Sequence, residues 1–428
     1  MYGIDFGTSN TVVCRRGEQG RSELLTFDGS QIIPSLLYFE KDRPHAIGTA
    51  AMEEYADAMR RYRGKEALYE SFRFFQAIKL ALKDTGFEGT RVFGQYWSAE
   101  SLAGLFLRNV KAMADRECGS GALCAAKFAA DRAVIGRPVV LGSDPKEEEI
   151  VQERFRAACA FAGFSKVDFV LEPVGALLGS DLGGDGRVLV FDFGGGTLDI
   201  SVAERSRDSL KLLAAGGMDL GGYALNEDLS RARIISHFGF GGKFRTMTGR
   251  YLDMPKWITD QVASFYALPL GEIAKTRRAI KELIVDARAA DRPKLRGLLA
   301  FIDGNMGFDL FNRIDEAKID LSEREQSTIS FAVEPYIRLS EKITRPEFEA
   351  VIIVRVAEAR QLISDTLEKA KLRPADIDAV VRVGGSSRIP AFIAMLEDLF
   401  PGRVSEGAVF TSIAEGLLEA HERGFSIA

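Results

Sequence analysis

Val188-Leu189-Val190-Phe191-Asp192-Phe193-Gly194-Gly195-Gly196-Thr197-Leu198-Asp199-Ile200-Ser201-Val202 decides how this chain is read. Four apolar residues lead into Asp192, three glycines break the run, and Thr197 opens a second apolar run that carries Asp199. A short, nearly all-apolar run bounded by turn residues is a strand buried on both faces, so the stretch predicts strand, tight turn, strand. Consecutive glycines let a backbone turn sharply and approach a ligand closely, and their N–H groups can converge on an anion such as phosphate. Asp192, at the mouth of the turn, is placed to hold a hydrated cation bound to that phosphate. A glycine hairpin with one aspartate can also be purely structural, so the rest of the chain has to decide.

The chain repeats the pattern. Ile4-Asp5-Phe6-Gly7-Thr8-Ser9-Asn10-Thr11-Val12-Val13 has the same grammar of apolar strand, aspartate, glycine, hydroxyl residue and apolar strand. Two such hairpins suggest a duplicated fold whose lobes face one ligand. The pair resembles the two phosphate motifs of the actin-like ATPase superfamily, which holds sugar kinases and the seventy-kilodalton heat-shock chaperones.

Composition fits a globular protein. The 428 residues are 46% hydrophobic and 27% charged, enough for two or more domains. A net charge of -5 argues against nucleic acid or an anionic membrane as the main partner. No apolar run approaches the roughly 18 residues of a membrane span, and Met1 almost abuts the first strand, so a cytoplasmic location is expected. The four cysteines, Cys14, Cys118, Cys124 and Cys159, form no Cys-x-x-Cys pair and read as buried free thiols. The histidines are scattered, and no P-loop signature occurs.

Taken in order, residues 1–28 read as the first hairpin and its continuation. Ile33 to Phe39 is similar to the Pro-Ser strand that opens the small upper subdomain of the heat-shock ATPases. Residues 50–83 and 100–117 show helical spacing. In this region the chaperones carry a lysine that reaches the phosphates. Arg73 is the nearest match, with Lys79 second, and an arginine would keep the charge but change its geometry. Arg73 could instead be a solvated helix charge. Arg132 to Pro138 reads as a core strand ended by proline, and its Ile135-Gly136-Arg137-Pro138 is similar to the short YegD-like members. Glu147 to Ala162 reads as a helix with acids in its first turn, stopped by Gly163. Glu172-Pro173-Val174-Gly175-Ala176 resembles the chaperones' Glu-Pro-x-Ala-Ala, with Gly175 in place of the first alanine. A carboxylate there can orient a metal-bound water or simply be an N-terminal helix charge.

Gly183 to Gly186 reads as the crossing into the second lobe. Leu220-Gly221-Gly222 resembles another phosphate-contacting turn, but Ala224 and Asn226 stand where acidic residues follow in the family. Residues 227–310 are the least family-like, with a turn at Met254 to Trp257 and a helical, charge-rich stretch from Leu270 to Leu299. Asp315 and Lys318 share a helix face, in a segment similar to the one that contacts adenosine. Thr344 and Glu347 form a capping box. Gly384-Gly385-Ser386-Ser387-Arg388-Ile389-Pro390, after the strand Ile377 to Val383, resembles the chaperones' adenosine-binding turn, whose arginine can stack on adenine. Phe410 to Arg423 reads as the closing helix.

The resemblance covers almost the whole chain. It implies an α/β, actin-like ATPase fold of two duplicated ribonuclease-H-like lobes with a nucleotide cleft between them. Lobe I is expected at 1–184, with an upper subdomain near 30–125. Lobe II is expected at 185–404, with an enlarged upper subdomain near 227–343, and 405–428 should return to lobe I. The implied ligands are ATP or ADP and Mg2+. Asp5 and Asp192 would hold the metal through water, and Glu172 and Arg73 would complete the catalytic set. Gly7, Thr8, Ser9, Gly194, Gly195, Gly196, Thr197, Gly221 and Gly222 would hold phosphates, and Asp315, Lys318, Gly384, Gly385, Ser386 and Arg388 adenosine. The expected function is slow ATP hydrolysis with lobe closure, in a monomer that serves an unknown protein partner or client and has no peptide-binding domain after Ala428. A non-catalytic nucleotide sensor, favoured by Arg73, and a small-molecule kinase on the same superfold remain alternatives.

Overall fold

The structure is a computed structural model that describes residues 1–17, 20, 22–62, 68–119, 130–179, 185–206, 209–246, 248–264, 271, 273–407 and 412–425. Its frame is two mixed sheets of matching topology. In the first, Ser22–Leu24, Asn10–Arg16 and Tyr2–Phe6 run antiparallel, and Arg132–Arg137 and Lys166–Leu171 then add in parallel. In the second, Ser209–Met218, Leu198–Ser206 and Gly186–Phe193 run antiparallel, followed in parallel by Ala379–Val383 and Val404–Glu406. The repeated hairpin is therefore the same structural unit used twice.

Alternation along the strands divides each sheet between two cores. Ile4, Phe6 and Val13 enter one cluster, with Phe106, Phe155 and Phe169, while Val12, Cys14, Val134 and Val170 enter another, with Leu417 and Leu418. In the second sheet Leu189, Phe191 and Phe193 join the largest cluster, while Val188 and Val190 face Ala176 and Leu177. Cys14, Cys118 and Cys159 are buried free thiols, and Cys124 lies outside the described residues. Among the described residues no helix is long and apolar enough to cross a membrane.

Several elements depart from the expected pattern. The helical reading of 50–83 is interrupted: a helix Gly48–Arg61 and a helix Ile78–Lys83 flank the strand Phe72–Phe75, which pairs with Leu37–Glu40. Phe72, Phe74 and Phe75 are all buried, and a run apolar on both faces has no period that separates strand from helix. The charge-rich helical stretch read up to Leu299 is divided into two helices, Ile273–Asp286 and Arg292–Asp303. Its expected start, Leu270, lies outside the described residues. Lys256 and Trp257, read as part of a turn, begin the helix Lys256–Ala263. The other helix signals hold. Asp144 caps Pro145–Phe161 by accepting from Lys146 N and Glu147 N, and Thr344 with Glu347 forms the capping box of Arg345–Ala370. The Gly183–Gly184 crossing and Phe410 also lie outside the described residues.

The helix Ser412–Glu422 packs against the helix Glu172–Gly179 at glycines. A Cβ at Gly416 would lie 1.9 Å from the Gly175 carbonyl oxygen and 2.6 Å from Gly179 N. A Cβ at Gly175 would meet the Ile413 carbonyl oxygen at 3.0 Å. Gly416→Val should therefore lower stability by about 3 kcal/mol or more, since overpacking a close crossing costs about 1–3 kcal/mol or beyond. Gly175→Ala should cost visibly less. Denaturant midpoints of the two variants check the order, and equal loss would show that the crossing tolerates separation.

Candidate active site

The two hairpin turns meet. A Cβ on Gly196 would lie 2.4 Å from Thr8 Oγ1, and one on Gly195 would lie 2.4 Å from Ser9 Oγ. A side chain at either position would have to displace the facing hydroxyl. The second turn is fixed through its carbonyls: Gly222 N donates to Gly194 O at 3.0 Å, Tyr223 N to Gly195 O at 2.9 Å, and Ser386 Oγ to Gly194 O at 3.0 Å. A Cβ on Gly221 would sit 2.3 Å from Gly195 O. Gly384, at φ +80°, would bring a Cβ to 2.3 Å from Phe193 O, a geometry open to glycine alone. The first turn is propped by Ser35, whose Oγ donates to Gly7 O at 2.8 Å and whose N donates to Ser9 O at 2.8 Å.

Behind the turns is a buried charge cluster. Lys79 Nζ donates to Glu172 Oε1, and both side chains are almost fully enclosed. Burial, then the Glu172 charge, pushes the Asp5 carboxyl up to about 7, against the pull of Lys79. Asp199 is pushed up to about 7 by burial and Glu172, despite a hydrogen bond from Val139 N at 2.6 Å. Asp192 is raised well above the carboxylate range by burial and by Glu172, Asp199 and Asp5. Although burial works against it, Glu172 and Asp5 hold the Lys79 ammonium above its ordinary value.

Arg73 is not in this cluster. It lies on Phe72–Phe75, buried, with Nη1 donating to Arg91 O at 3.3 Å and its guanidinium 5.4 Å from the Phe75 ring centre. Burial lowers its pKa to about 10. The cation among the carboxylates is Lys79, the second candidate, because the chain turns through Ala77 at φ +55° between the strand and the next helix. The αL turn re-aims the backbone, and an alanine there carries no sequence signal of it.

Among the residues expected to hold adenosine, Lys318 Nζ donates to Asp315 Oδ1 at 2.6 Å and to Gly222 O at 3.2 Å. Against the burial that would raise it, Lys318 holds the Asp315 carboxyl below its ordinary range. Asn226 Nδ2 also donates to Asp315 Oδ1, at 2.7 Å. Asn226 thus joins the network as a donor where a carboxylate was looked for. Arg388, half exposed, pairs with Glu406 at 2.7 Å. Gly385 is exposed beside it, and Thr197 is half-buried at the hairpin. Sequence reasoning missed Asp199, Asn226 and Ser35 as site residues. The signal for Asp199 was a lone carboxylate inside a strand buried on both faces.

Among the described residues no group of three or more His, Cys, Asp or Glu side chains is arranged to hold a metal ion directly. The donor set instead fits a hydrated cation: one buried lysine stands among Asp5, Glu172, Asp192 and Asp199, and three of these resist ionising.

Two duplicated sheets with facing glycine turns and a buried lysine–carboxylate cluster define the class: the actin-like ATPase fold. The chain belongs to the Hsp70 protein family, whose model matches residues 1–239 and 303–409. It is similar to the chaperone protein DnaK of Thermosipho melanesiensis, at 24% identity over 413 residues, covering 94% of this chain and 55% of that protein. The chaperone protein DnaK of a Thermus thermophilus strain is 26% identical over 421 residues, covering 93% and 56%. The chain spans about half the length of the curated relatives it matches.

The raised carboxyls fix a sign for pH dependence. Folded Asp5 and Asp199 keep their protons to about pH 7, whereas unfolded aspartates release theirs near 4. Between these values the folded state binds more protons, so their contribution to stability falls as pH rises. His45, held low first by burial, acts in the opposite sense below about pH 6.5, so the wild type has to be compared with Asp5→Asn. The wild-type melting temperature minus that of Asp5→Asn should decrease between about pH 5 and about pH 8. A constant difference in ligand-free protein would show that Asp5 is ionised throughout.

Proposed function

We propose that this protein binds Mg2+ and ATP between its two lobes, hydrolyses ATP slowly and closes on the nucleotide, in a chaperone-like role toward a protein partner. The observation that carries the reading is the Lys79–Glu172 pair set among three buried aspartates where the two glycine turns meet. In this reading Asp5 and Asp192 hold hydrated magnesium through water, and Gly7, Thr8, Ser9, Gly194 to Thr197, Gly221 and Gly222 hold the phosphates. Asp315, Lys318, Gly384, Gly385, Ser386 and Arg388 hold adenosine. Magnesium supplies positive charge against the phosphates, and ATP supplies the bond to be cleaved. Glu172 orients water, and Lys79 steadies phosphate charge. This is positioning and electrostatics, with no covalent step.

Slow turnover follows from the pair itself. Lys79 and Glu172 neutralise each other, so neither acts on a ligand without weakening its bond to the other. Arg73 no longer supports a non-catalytic sensor, since its side chain faces Arg91 and Phe75. Closure is supported by contacts at the far end of the lobes. Tyr55 OH donates to Asn305 O at 3.2 Å, and Phe74 and Phe308 lie with ring centres 4.4 Å apart. The short YegD-like form is the subtype we favour, on Ile135-Gly136-Arg137-Pro138.

Phosphate release from Mg-ATP tests this. Lys79→Ala should lower turnover at least about tenfold, the low end for loss of an electrostatic stabiliser. Arg73→Ala should leave turnover of the folded fraction within about twofold while lowering the melting temperature, because it removes a buried packing group. The reverse pattern would return the catalytic cation to Arg73, and no release from wild type would leave a binding protein. Arg388→Ala should weaken ATP binding by about 1–2 kcal/mol if its guanidinium stacks on the base. Unchanged affinity would remove that contact.

A further inference from the structure

The segment that the family model leaves unmatched, between 239 and 303, has a charge opposite to that of the protein. Residues 243–296 hold twelve lysines and arginines against six aspartates and glutamates, in a chain of net charge -5. The helix Ile273–Asp286 organises this charge. It buries Ile273, Thr276, Ile280 and Leu283, which leaves Lys275, Arg278 and Lys281, at three-residue spacing, exposed on the other side. Residues three apart on a helix are neighbours, so the three form one stripe, and Arg288 continues it beyond the helix.

Each end of the stripe carries an exposed aromatic. Lys275 Nζ lies 5.9 Å from the centre of the Trp257 ring, and the Arg288 guanidinium lies 4.5 Å from that of Tyr251. Trp257 is 41% exposed and Tyr251 47%. Val285, 71% exposed, adds apolar surface on the outer side of the same helix, and Leu252, 51% exposed, follows Tyr251 in its strand. At 1.5 Å per residue, Lys275 to Arg288 spans about 20 Å. Tryptophan, tyrosine and arginine are the residues enriched in protein-binding hot spots.

We propose that this stripe docks an acidic, partly apolar polypeptide segment of a partner protein. Two observations favour a polypeptide over nucleic acid. Lys275 and Arg288 each lie against one of the rings, so a base stacking on that face would have to displace a cation. Val285 and Leu252 call for apolar groups, which glutamates and aspartates alternating with leucine or phenylalanine supply. The site lies outside the nucleotide-binding set, so it stands whether or not ATP is hydrolysed.

The test uses the full chain and fluorescence anisotropy. The probe is a labelled synthetic peptide of about eight residues alternating glutamate with leucine or phenylalanine, long enough for roughly 20 Å at 3.3 Å per residue. Oligodeoxythymidylate and vesicles containing phosphatidylserine are the competing ligands. The peptide should bind in low salt, and binding should weaken as salt rises. The triple variant Lys275→Glu, Arg278→Glu, Lys281→Glu should lose at least about tenfold in affinity, as opposed charges become like charges. A circular dichroism melt confirms that the variant is folded. If charge reversal perturbs the helix, the glutamine triple variant and Trp257→Ala replace it, each with a weaker loss expected. No peptide binding by wild type, equal binding by the folded variants, or tighter binding of the oligonucleotide or vesicles would each overturn the proposal.

Discussion

A lysine and a glutamate buried against each other organise the molecule. Lys79 and Glu172 are 3% and 7% exposed, and a charge at such depth is stable only if paired. The pair fixes two elements at once. Glu172 begins the helix that separates the two sheets, and Lys79 sits in the first turn of the short helix Ile78–Lys83. Removing one partner would leave an uncompensated charge beside Asp5, Asp192 and Asp199, which already hold protons more tightly than exposed aspartates do. The cluster therefore carries an electrostatic demand that a cation or a proton has to meet. That demand, rather than the outline of the glycine turns, is what makes this place chemically distinct from the rest of the core.

The short helix carries the pair's position into both halves. Its Leu80, with Ala77, packs with Tyr223 and Phe311, and the Tyr223 and Phe311 rings are 4.7 Å apart. Its Lys83 pairs with Asp219 and donates to Val140 O at 3.0 Å. Tyr223 lies in the helix Gly222–Leu229, whose first residue gives its carbonyl to Lys318. The carboxylate cluster and the Asp315–Lys318–Asn226 network are thus two ends of one packed path. Ala77 at φ +55° is the bend on which it depends. An αL alanine costs of order 1 kcal/mol, and the surrounding contacts have to hold it there.

The duplication is legible in the chain because aspartate, glycine and hydroxyl recur at fixed places between apolar runs. The glycines at 195, 196, 221 and 384 are legible too, since each stands where a Cβ would press on backbone or the facing hairpin. The position of the buried cation is not. Phe72 to Phe75 alternates no differently from a buried helix, and nothing in Gln76-Ala77-Ile78 announces a left-handed residue. A shift of six positions, from Arg73 to Lys79, follows from that one turn. Asn226 escaped for another reason. A carboxamide supplies an N–H to the Asp315 carboxylate, which a carboxylate at 226 has no proton to do. The split at Ala287 to Asp291 is hidden because charged residues on both sides preserve a helical period, while Asp291 accepts from Lys243 N and ties the break to the neighbouring hairpin.

The helix Ile273–Asp286 has two working sides. Outward it presents the lysine and arginine stripe. Toward the first half it presents Arg277, which pairs with Asp303, donates to Tyr69 OH at 2.7 Å and stacks on the Tyr69 ring at 5.0 Å. Tyr69 precedes the strand Phe72–Phe75 by one turn, and that strand leads through Ala77 to Lys79. Opening the two halves at this end has to break the Arg277–Tyr69 contact and the Tyr55 and Phe74 contacts with Asn305 and Phe308. A ligand on the outer side that favours one position of the helix must favour one separation of the halves by the same free energy, because coupling between binding equilibria is reciprocal. The path runs from the helix through the Arg277–Tyr69 contact and then along the chain from Tyr69 to Lys79, which is a route for coupling and not a measure of it.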